Sequence, residues 1–524
     1  IAGSIESWSI SLIAFSTLIT KPMSASYIMA LDLGTTGNRA ILFDQDGQVV
    51  AQSYKELTQY YPEPGWLEHD PREIWEDISW AAKGVLEKAK IPATAIAAIG
   101  LTVQRETCLL WDKETGRPHH NAIVWQDRRT APLCNELRAA GKANEIYDRT
   151  GLVLDAYFSA TKLAWLLDHI KHYTDPPLYL DKTLAGTVDT WVLWNMTGRK
   201  VPATDHSTAS RTMLLNLHAY DWDPHLLEMF GIPRSIMPEV KPSLGLFGYT
   251  DPDFLGAEIP IMSVLGDQQA ALFGHGCDRP GALKCTYGTG AFLVAHTGNE
   301  IVRTNHELLS TVAWSVAHDG QPQVGYAVEG AMFTAGACIQ WLRDGIRVIS
   351  HAADTEPLAK RIGTNGGVYF VPALSGLGAP HWDMNARGSF MGITGGVRRE
   401  HLIRAVLEAI AYEVKEVVDA VNAGAPTPIK ELKVDGGASQ NDFLMQFQAD
   451  VLGIPIERPA MLDTTAQGAA FAAGLASGYW QDYRALVATR GIERVFEPDT
   501  GATAAQANYG MWKKAVERSK DWCS

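Results

Sequence analysis

From position 27 to about position 60 the chain alternates short apolar runs with polar turns. Residues 27–31 and 40–43 are apolar and flank Asp32-Leu33-Gly34-Thr35-Thr36-Gly37-Asn38-Arg39, and Asp46-Gly47 marks a second turn. The pattern predicts three short strands joined by tight turns. The period then lengthens. Over residues 71–90, Ile74, Ile78 and Val85 recur on one helical face. Residues 96–103 are apolar but for Thr102, read as a buried strand that ends at Gln104-Arg105-Glu106-Thr107. Residues 261–265 repeat that design and end at Gly266-Asp267-Gln268-Gln269. Between 401 and 423, Leu402, Val406, Ile410, Val414, Val417 and Val421 line one face of a long amphipathic helix. It leads into a strand at 432–434, the turn Asp435-Gly436-Gly437-Ala438-Ser439-Gln440-Asn441 and a helix over 442–452. The small residues of 467–474 predict a helix packed close to its neighbours.

A second Gly-Thr turn, Thr286-Tyr287-Gly288-Thr289-Gly290-Ala291-Phe292, has the same strand, turn, strand setting as the first. Backbone N–H groups and hydroxyls at such a turn form a concavity that suits phosphate oxygens. Either turn alone reads first as an ordinary hairpin turn. Together they suggest two related lobes holding one nucleotide from opposite sides. Asp32, just before the first turn, has the chemistry to hold Mg²⁺ directly or through water. Arg39, just after it, has the charge to neutralise phosphate. The strand, glycine turn and helix around Gly437 form a further candidate nucleotide contact.

Composition narrows the choice. The chain has 524 residues, 46% of them hydrophobic and 20% charged, with a net charge of −14. That is enough chain for more than one ordinary core. The acidic balance and the lack of a basic run exclude nucleic acid as the main partner. The six cysteines form no C-x-x-C pair and read as reduced core residues of a cytoplasmic protein. No stretch predicts membrane insertion. Residues 1–26 read as a non-native or disordered extension, with Met23 as a candidate start. There is no G-x-x-x-x-G-K-[ST], no G-x-G-x-x-G after a strand, no H-E-x-x-H and no G-x-S-x-G, which disfavours P-loop, dinucleotide, zinc-protease and nucleophile-elbow chemistry.

Four polar sites remain. Arg105-Glu106 at a strand end reads as a clamp for a hydroxylated ligand or as a plain salt-bridged pair. Trp125 reads as an apolar wall for a carbon backbone or as a core tryptophan, one of 16. Tyr157 reads as a hydroxyl partner or a half-buried loop tyrosine. Asp267 is placed to accept the proton of an attacking hydroxyl, with Gln268 orienting it; alternatively it caps a helix.

Taken together, residues 32–39, 103–107, 121–130, 150–162, 186–191, 266–271, 286–292, 375–383 and 435–441 closely resemble the FGGY carbohydrate kinase family, over about 27–512. The resemblance implies an α/β, two-lobed actin-like (ribonuclease-H-like) ATPase fold with a nucleotide cleft between lobes at 27–275 and 276–524. It implies the members that phosphorylate glycerol with ATP to sn-glycerol 3-phosphate, feeding glycerol catabolism and glycerolipid synthesis. Residue by residue it implies Arg105, Glu106, Tyr157, Asp267 and Gln268 as hydroxyl ligands, Trp125 and Phe292 as the wall, and Asp267 as the base. It implies Thr35, Thr36, Gly37 and Arg39 as the first phosphate loop, and Thr289, Gly336, Gln340, Gly437 and Asn441 as nucleotide contacts. Asp32 is implied as the Mg²⁺-associated residue, and a homodimer or homotetramer as the assembly. A kinase for another small polyol or sugar, and an actin-like ATPase switch, stay open as alternatives. The chain departs from the family pattern at Gly37-Asn38, where two serines are common, and at Val103, where Asn is common. Residues 249–259 lack the arginine of a fructose-bisphosphate loop, and 498–508 lack the glutamate of a phosphotransferase-protein contact; both controls are expected to be absent.

Overall fold

The computed structural model describes residues 26–173, 179–304, 308–318, 321–424, 427–499 and 502–523. The extension expected at 1–26 lies, but for Ser26, outside them. Thirteen strands form one continuous twisted sheet. Its first half starts from strand Tyr27–Leu33. That strand pairs antiparallel with Gly37–Phe43, which pairs with Val49–Glu56; on its other side lie Ile96–Val103 and then Pro260–Gly266, both parallel. The second half repeats the plan. Leu283–Tyr287 pairs antiparallel with Ala291–Gly298, which pairs with Gln321–Met332, while Leu432–Asp435 and Ile456–Pro459 follow in parallel. The same spatial order, three-two-one-four-five, therefore occurs twice. This is the two-domain, actin-like α/β architecture.

Strands Leu244–Tyr249 and Leu309–His318 join the halves edge to edge, meeting in parallel at Leu244 and Val316. Parallel neighbours need crossovers, and helices supply them. Helix Pro71–Ala89 begins on Asp70, whose carboxylate accepts the Arg72 N–H at 2.9 Å, has Pro71 in its first turn and ends on left-handed Lys90. It buries Ile74, Ile78, Ala81, Ala82, Val85 and Leu86 against the first half. Helices Arg399–Gly424 and Asp442–Leu452 cover the second half.

Helix Thr464–Ala476 follows a strand of the second half but lies on the first half, against Tyr27–Leu33, Ile96–Val103 and helix Asp267–Gly274. Small residues permit that approach. A Cβ on Gly100 would overlap the Ala469 carbonyl, and one on Gly468 would stand 2.6 Å from the Ala270 carbonyl carbon. The close packing read from residues 467–474 is present, and it ties the two halves together.

A second, four-stranded antiparallel sheet carries Glu68–His69, Ala122–Ile123, Cys108–Asp112 and Thr183–Thr187. It places Trp125, just after Ala122–Ile123, beside the end of Ile96–Val103. Five cysteines are free and buried, and Cys523 is free and exposed. No helix among the described residues is long and apolar enough to cross a membrane.

Candidate active site

Strand Ile96–Val103 is buried along its whole length and delivers Gln104-Arg105-Glu106 to the middle of the molecule. Glu106 has φ +63, a left-handed conformation unusual for a side chain with a Cβ. Neither reading of the adjacent pair is complete. Arg105 Nε and Glu106 Oε1 are 4.0 Å apart, and each is held by a residue far away in sequence. Arg105 forks onto Glu329, with Nη1–Oε2 at 2.5 Å and Nη2–Oε1 at 2.9 Å. Arg211 donates through Nε to Glu106 Oε1 at 2.8 Å and through Nη2 to Glu329 Oε1 at 3.0 Å. Burial raises the Glu329 carboxyl, but the two guanidiniums outweigh it and lower it to about 2. For Glu106 burial wins over Arg105 and Arg211, and its carboxyl is raised.

Asp267 is the first residue of helix Asp267–Gly274, and Gly266 holds the cap position. Its Oδ1 accepts from the Gln268 N–H at 2.7 Å and is ion-paired with Arg105 Nε at 3.1 Å; its Oδ2 takes no hydrogen bond from a described residue. Gln268 is fixed by a residue the sequence reading missed. The buried Lys284 ammonium donates to Gln268 Oε1, to Thr286 Oγ1 at 2.9 Å and to the Phe292 carbonyl at 3.4 Å. Burial lowers the Lys284 pKa. The Trp125 ring meets Tyr157 and Phe292 edge to face, each at 5.7 Å between centroids, forming an aromatic box. Lys162, fully buried, ties down the Tyr157 loop through the carbonyls of Ala156, Tyr157 and Phe158.

Both Gly-Thr turns show one design. In the first, Gln59 Nε2 takes the Thr35 carbonyl at 2.9 Å and the Leu57 N–H takes that of Thr36 at 3.0 Å. In the second, Ala335 and Ala337 N–H groups take the Thr289 carbonyl at 2.8 and 3.0 Å, and Gly336 N–H takes that of Gly288 at 3.0 Å. The carbonyls are thus turned back into the protein, which leaves N–H and hydroxyl donors for a ligand, the chemistry of an anion cradle. Trp125 Nε1 donates to Thr35 Oγ1 at 2.9 Å and links the box to the first turn.

One cavity of ≈ 360 Å³ is lined by Thr35, Thr36, Arg105, Glu106, Trp125, Tyr157, Asp267, Gln268, Thr289, Phe292 and Gln340, so that acceptor candidates and both turns share it. Gly37, Arg39, Gly336, Gly437, Asn441 and Asp32 lie outside that lining. Gly37 is buried in its strand, and its carbonyl accepts from Gly34 N–H at 3.0 Å. Arg39 pairs with Asp463, across the two halves, instead of projecting freely. Gly336 supports the second turn. Gly436, at φ +81, lies so close to strand Leu283–Tyr287 that a Cβ would be 2.5 Å from the Tyr287 carbonyl oxygen; Gly437 beside it is exposed. Asn441 caps helix Asp442–Leu452, accepting the Leu444 N–H at 3.0 Å and donating to Thr355 Oγ1 at 3.1 Å. Burial raises the Asp32 carboxyl to about 7; Arg39 opposes the rise, and Asp463 and Asp267 add to it. This excess of carboxylate fits a cation. No group of three or more His, Cys, Asp or Glu among the described residues could hold a metal by itself, so a bound ion would take its other ligands from phosphate and water.

Residues 27–274 match the N-terminal domain of the FGGY family of carbohydrate kinases, and residues 283–477 match its C-terminal domain. The chain belongs to the FGGY family of carbohydrate kinases. It is 69% identical to a glycerol kinase of Acaryochloris marina over 95% of this chain and 99% of that protein. It is 52% identical to a protein of Thermotoga maritima named glycerol kinase 2, over 95% and 99%. Among solved structures, Plasmodium falciparum glycerol kinase with ADP superposes with a TM-score of 0.85 at 33% identity, over 94% of this chain and 98% of that one. A xylulose kinase of Lactobacillus acidophilus shares the fold at 22% identity, with a TM-score of 0.83 over 94% and 98%.

Three FGGY-chain residues escaped the sequence reading: Arg211, Lys284 and Glu329. Lys284 and Glu329 are lone charges within otherwise apolar strand segments, and that pattern was a usable signal, since such a charge is buried only when paired. Arg211, in the polar run 204–212, offered none.

Proposed function

We propose that this kinase transfers the γ-phosphate of ATP to a terminal hydroxyl of glycerol, giving sn-glycerol 3-phosphate. The observation that carries the reading is the shared cavity, in which a hydroxyl-binding end and two anion-cradling turns face the same ≈ 360 Å³. The relatives named glycerol kinase support it, at up to 69% identity over nearly the whole chain. Arg105, Glu106, Tyr157 and Gln268 hold the acceptor hydroxyls, and the box of Trp125, Tyr157 and Phe292 flanks the carbon chain. With Gln268 Oε1 bound to Lys284, its Nε2 is the end left to donate.

Asp267 takes the hydroxyl proton on Oδ2 as the hydroxyl oxygen bonds to phosphorus and the bond to the ADP oxygen breaks. Thr35, Thr36 and Thr289 donate to the phosphates from the cavity wall, Gly37 shapes the first turn behind them, and Arg39 adds its charge once released from Asp463; Gly336, Gln340, Gly437 and Asn441 hold the rest of the nucleotide. Asp32 would hold Mg²⁺, which supplies charge neutralisation at the phosphate oxygens when bound. The lobes divide at 275/276 and close to exclude water. The same reading makes the protein a cytoplasmic homodimer or homotetramer, which light scattering on the eluted protein checks.

The test is ADP release measured across glycerol, erythritol, dihydroxyacetone and xylulose. The reading expects the highest kcat/KM for glycerol; a higher value for another acceptor moves the assignment to that substrate.

A further inference from the structure

Behind the acceptor end of the cavity, Arg105, Glu106, Arg211, Glu329 and Asp267 form one charge cluster, and the first four are at most 3% exposed. The hydrogen bonds can be counted against what each group offers. A guanidinium has five N–H groups. In Arg105, Nε is ion-paired with Asp267, Nη1 donates to Glu329 and Gln269, and Nη2 donates to Glu329. One Nη2 hydrogen is left over. Glu106 Oε1 is taken by Arg211, and Oε2 takes no hydrogen bond from a described residue. At the cavity wall Arg105 therefore offers a donor and Glu106 an acceptor beside a base, which is the complement of a neutral diol; the Arg211 Nη1 group, without a hydrogen-bond partner among the described residues, lies behind that wall.

That economy depends on two residues that do not line the cavity. Glu329 stands on strand Gln321–Met332, within the C-terminal family domain, whereas Arg105, Glu106 and Arg211 belong to the N-terminal one. The fork from Arg105 to Glu329 is thus a buried contact between domains. If it were lost, Arg105 would keep its charge, and the carboxylates still within reach would be Asp267 and Glu106. Turning further onto them, it would occupy the two oxygens that are open now, Asp267 Oδ2 and Glu106 Oε2.

We propose that Glu329 and Arg211 are positioning residues of the acceptor site: by binding Arg105 and Glu106 crosswise, they limit Arg105 to one ion pair with Asp267 Oδ1, keep Asp267 Oδ2 clear for the hydroxyl proton, and leave Arg105 Nη2 and Glu106 Oε2 for the substrate. The proposal rests on the reading of this cavity as a polyol kinase site. A failure of that reading appears separately, as the absence of polyol-dependent ADP release in the unsubstituted protein.

The test is steady-state kinetics of the full chain carrying Glu329→Gln. The glycerol KM should rise at least tenfold, with the ATP KM within twofold of the unsubstituted value. A purely structural role would lower the yield of active enzyme without separating the two KM values. Because Glu329→Gln leaves a buried guanidinium short of a partner, a second variant, Glu329→Gln with Arg211→Met, removes one charge of each sign. It should also raise the glycerol KM selectively. The proposal is overturned if a folded variant keeps its glycerol KM within twofold, if both KM values rise together, or if neither variant folds.

Discussion

Gly468→Ala adds a single methyl group well away from the chemistry, and the structure gives its consequence a scale. The new Cβ would overlap the Ala270 carbonyl oxygen and stand 2.6 Å from its carbon and 2.9 Å from the Gly274 nitrogen. Ordinary carbon contacts lie at about 3.5–4.0 Å, so helices Thr464–Ala476 and Asp267–Gly274 must separate by at least about 1 Å. Both neighbours are backbone, and rotation of a side chain cannot relieve the overlap. The stability terms nearly offset. Overpacking costs about 1–3 kcal/mol, while Ala gains about 1 kcal/mol over Gly within a helix. The net loss is about 0–2 kcal/mol. Geometry carries no such offset. Asp267 is the first residue of the displaced helix and is held 3.1 Å from Arg105. A misplacement of about 1 Å costs about 10²-fold in rate. Turnover at saturating ATP and glycerol should therefore fall by about 10²-fold, while chemical denaturation registers a small change. Turnover within threefold of the unsubstituted enzyme would refute the link between this packing and the base.

Three other outcomes are expected. Asp267→Asn should lower turnover by about 10²–10⁴-fold, the usual range for losing acid–base help; near-normal turnover in the purified variant removes Asp267 from the role of base. Chelation with EDTA should abolish ADP release and added Mg²⁺ restore it, while Asp32→Asn should raise the Mg²⁺ concentration needed for half-maximal rate; an unchanged requirement removes Asp32 from the metal site. Burial lowers His69 from 6.5 to about 4. The unfolded chain therefore binds that proton from about pH 6.5 downward and the fold only near pH 4, so stability is lost as pH falls through this window, by up to about 3 kcal/mol. Denaturation of His69→Gln over the same range should lack that part of the acid dependence; an unaltered profile contradicts the assignment.

The elements that carry the site were legible because each is coded locally. Glycine and threonine between two apolar runs permit little besides a tight hairpin. The recurrence from Leu402 to Val421 specifies one buried helical face. Gln104-Arg105-Glu106 stood out as charged and polar residues at the end of a strand that is apolar but for Thr102. What pairs with them was not legible, because Glu329 lies 224 positions from Arg105 and Arg211 lies 105 from Glu106. Such partners are fixed by the edge-to-edge joining of the two halves of the sheet through Leu244–Tyr249 and Leu309–His318, and no local pattern encodes that joining. Residues 467–474 illustrate the same limit. Their small side chains announced a close approach, but the surface approached belongs to the other half of the molecule. Arg39 was read by its charge, and the structure gives that charge a partner, Asp463, from across the cleft.

The central claim, that one cavity joins a polyol site to two phosphate-binding turns, is tested most directly by ³¹P NMR of the enzyme with ATP, Mg²⁺ and glycerol. The account predicts one phosphomonoester, sn-glycerol 3-phosphate, formed in equal amount to ADP, with inorganic phosphate a minor product. ADP accompanied by inorganic phosphate alone, at a rate indifferent to glycerol, would contradict it.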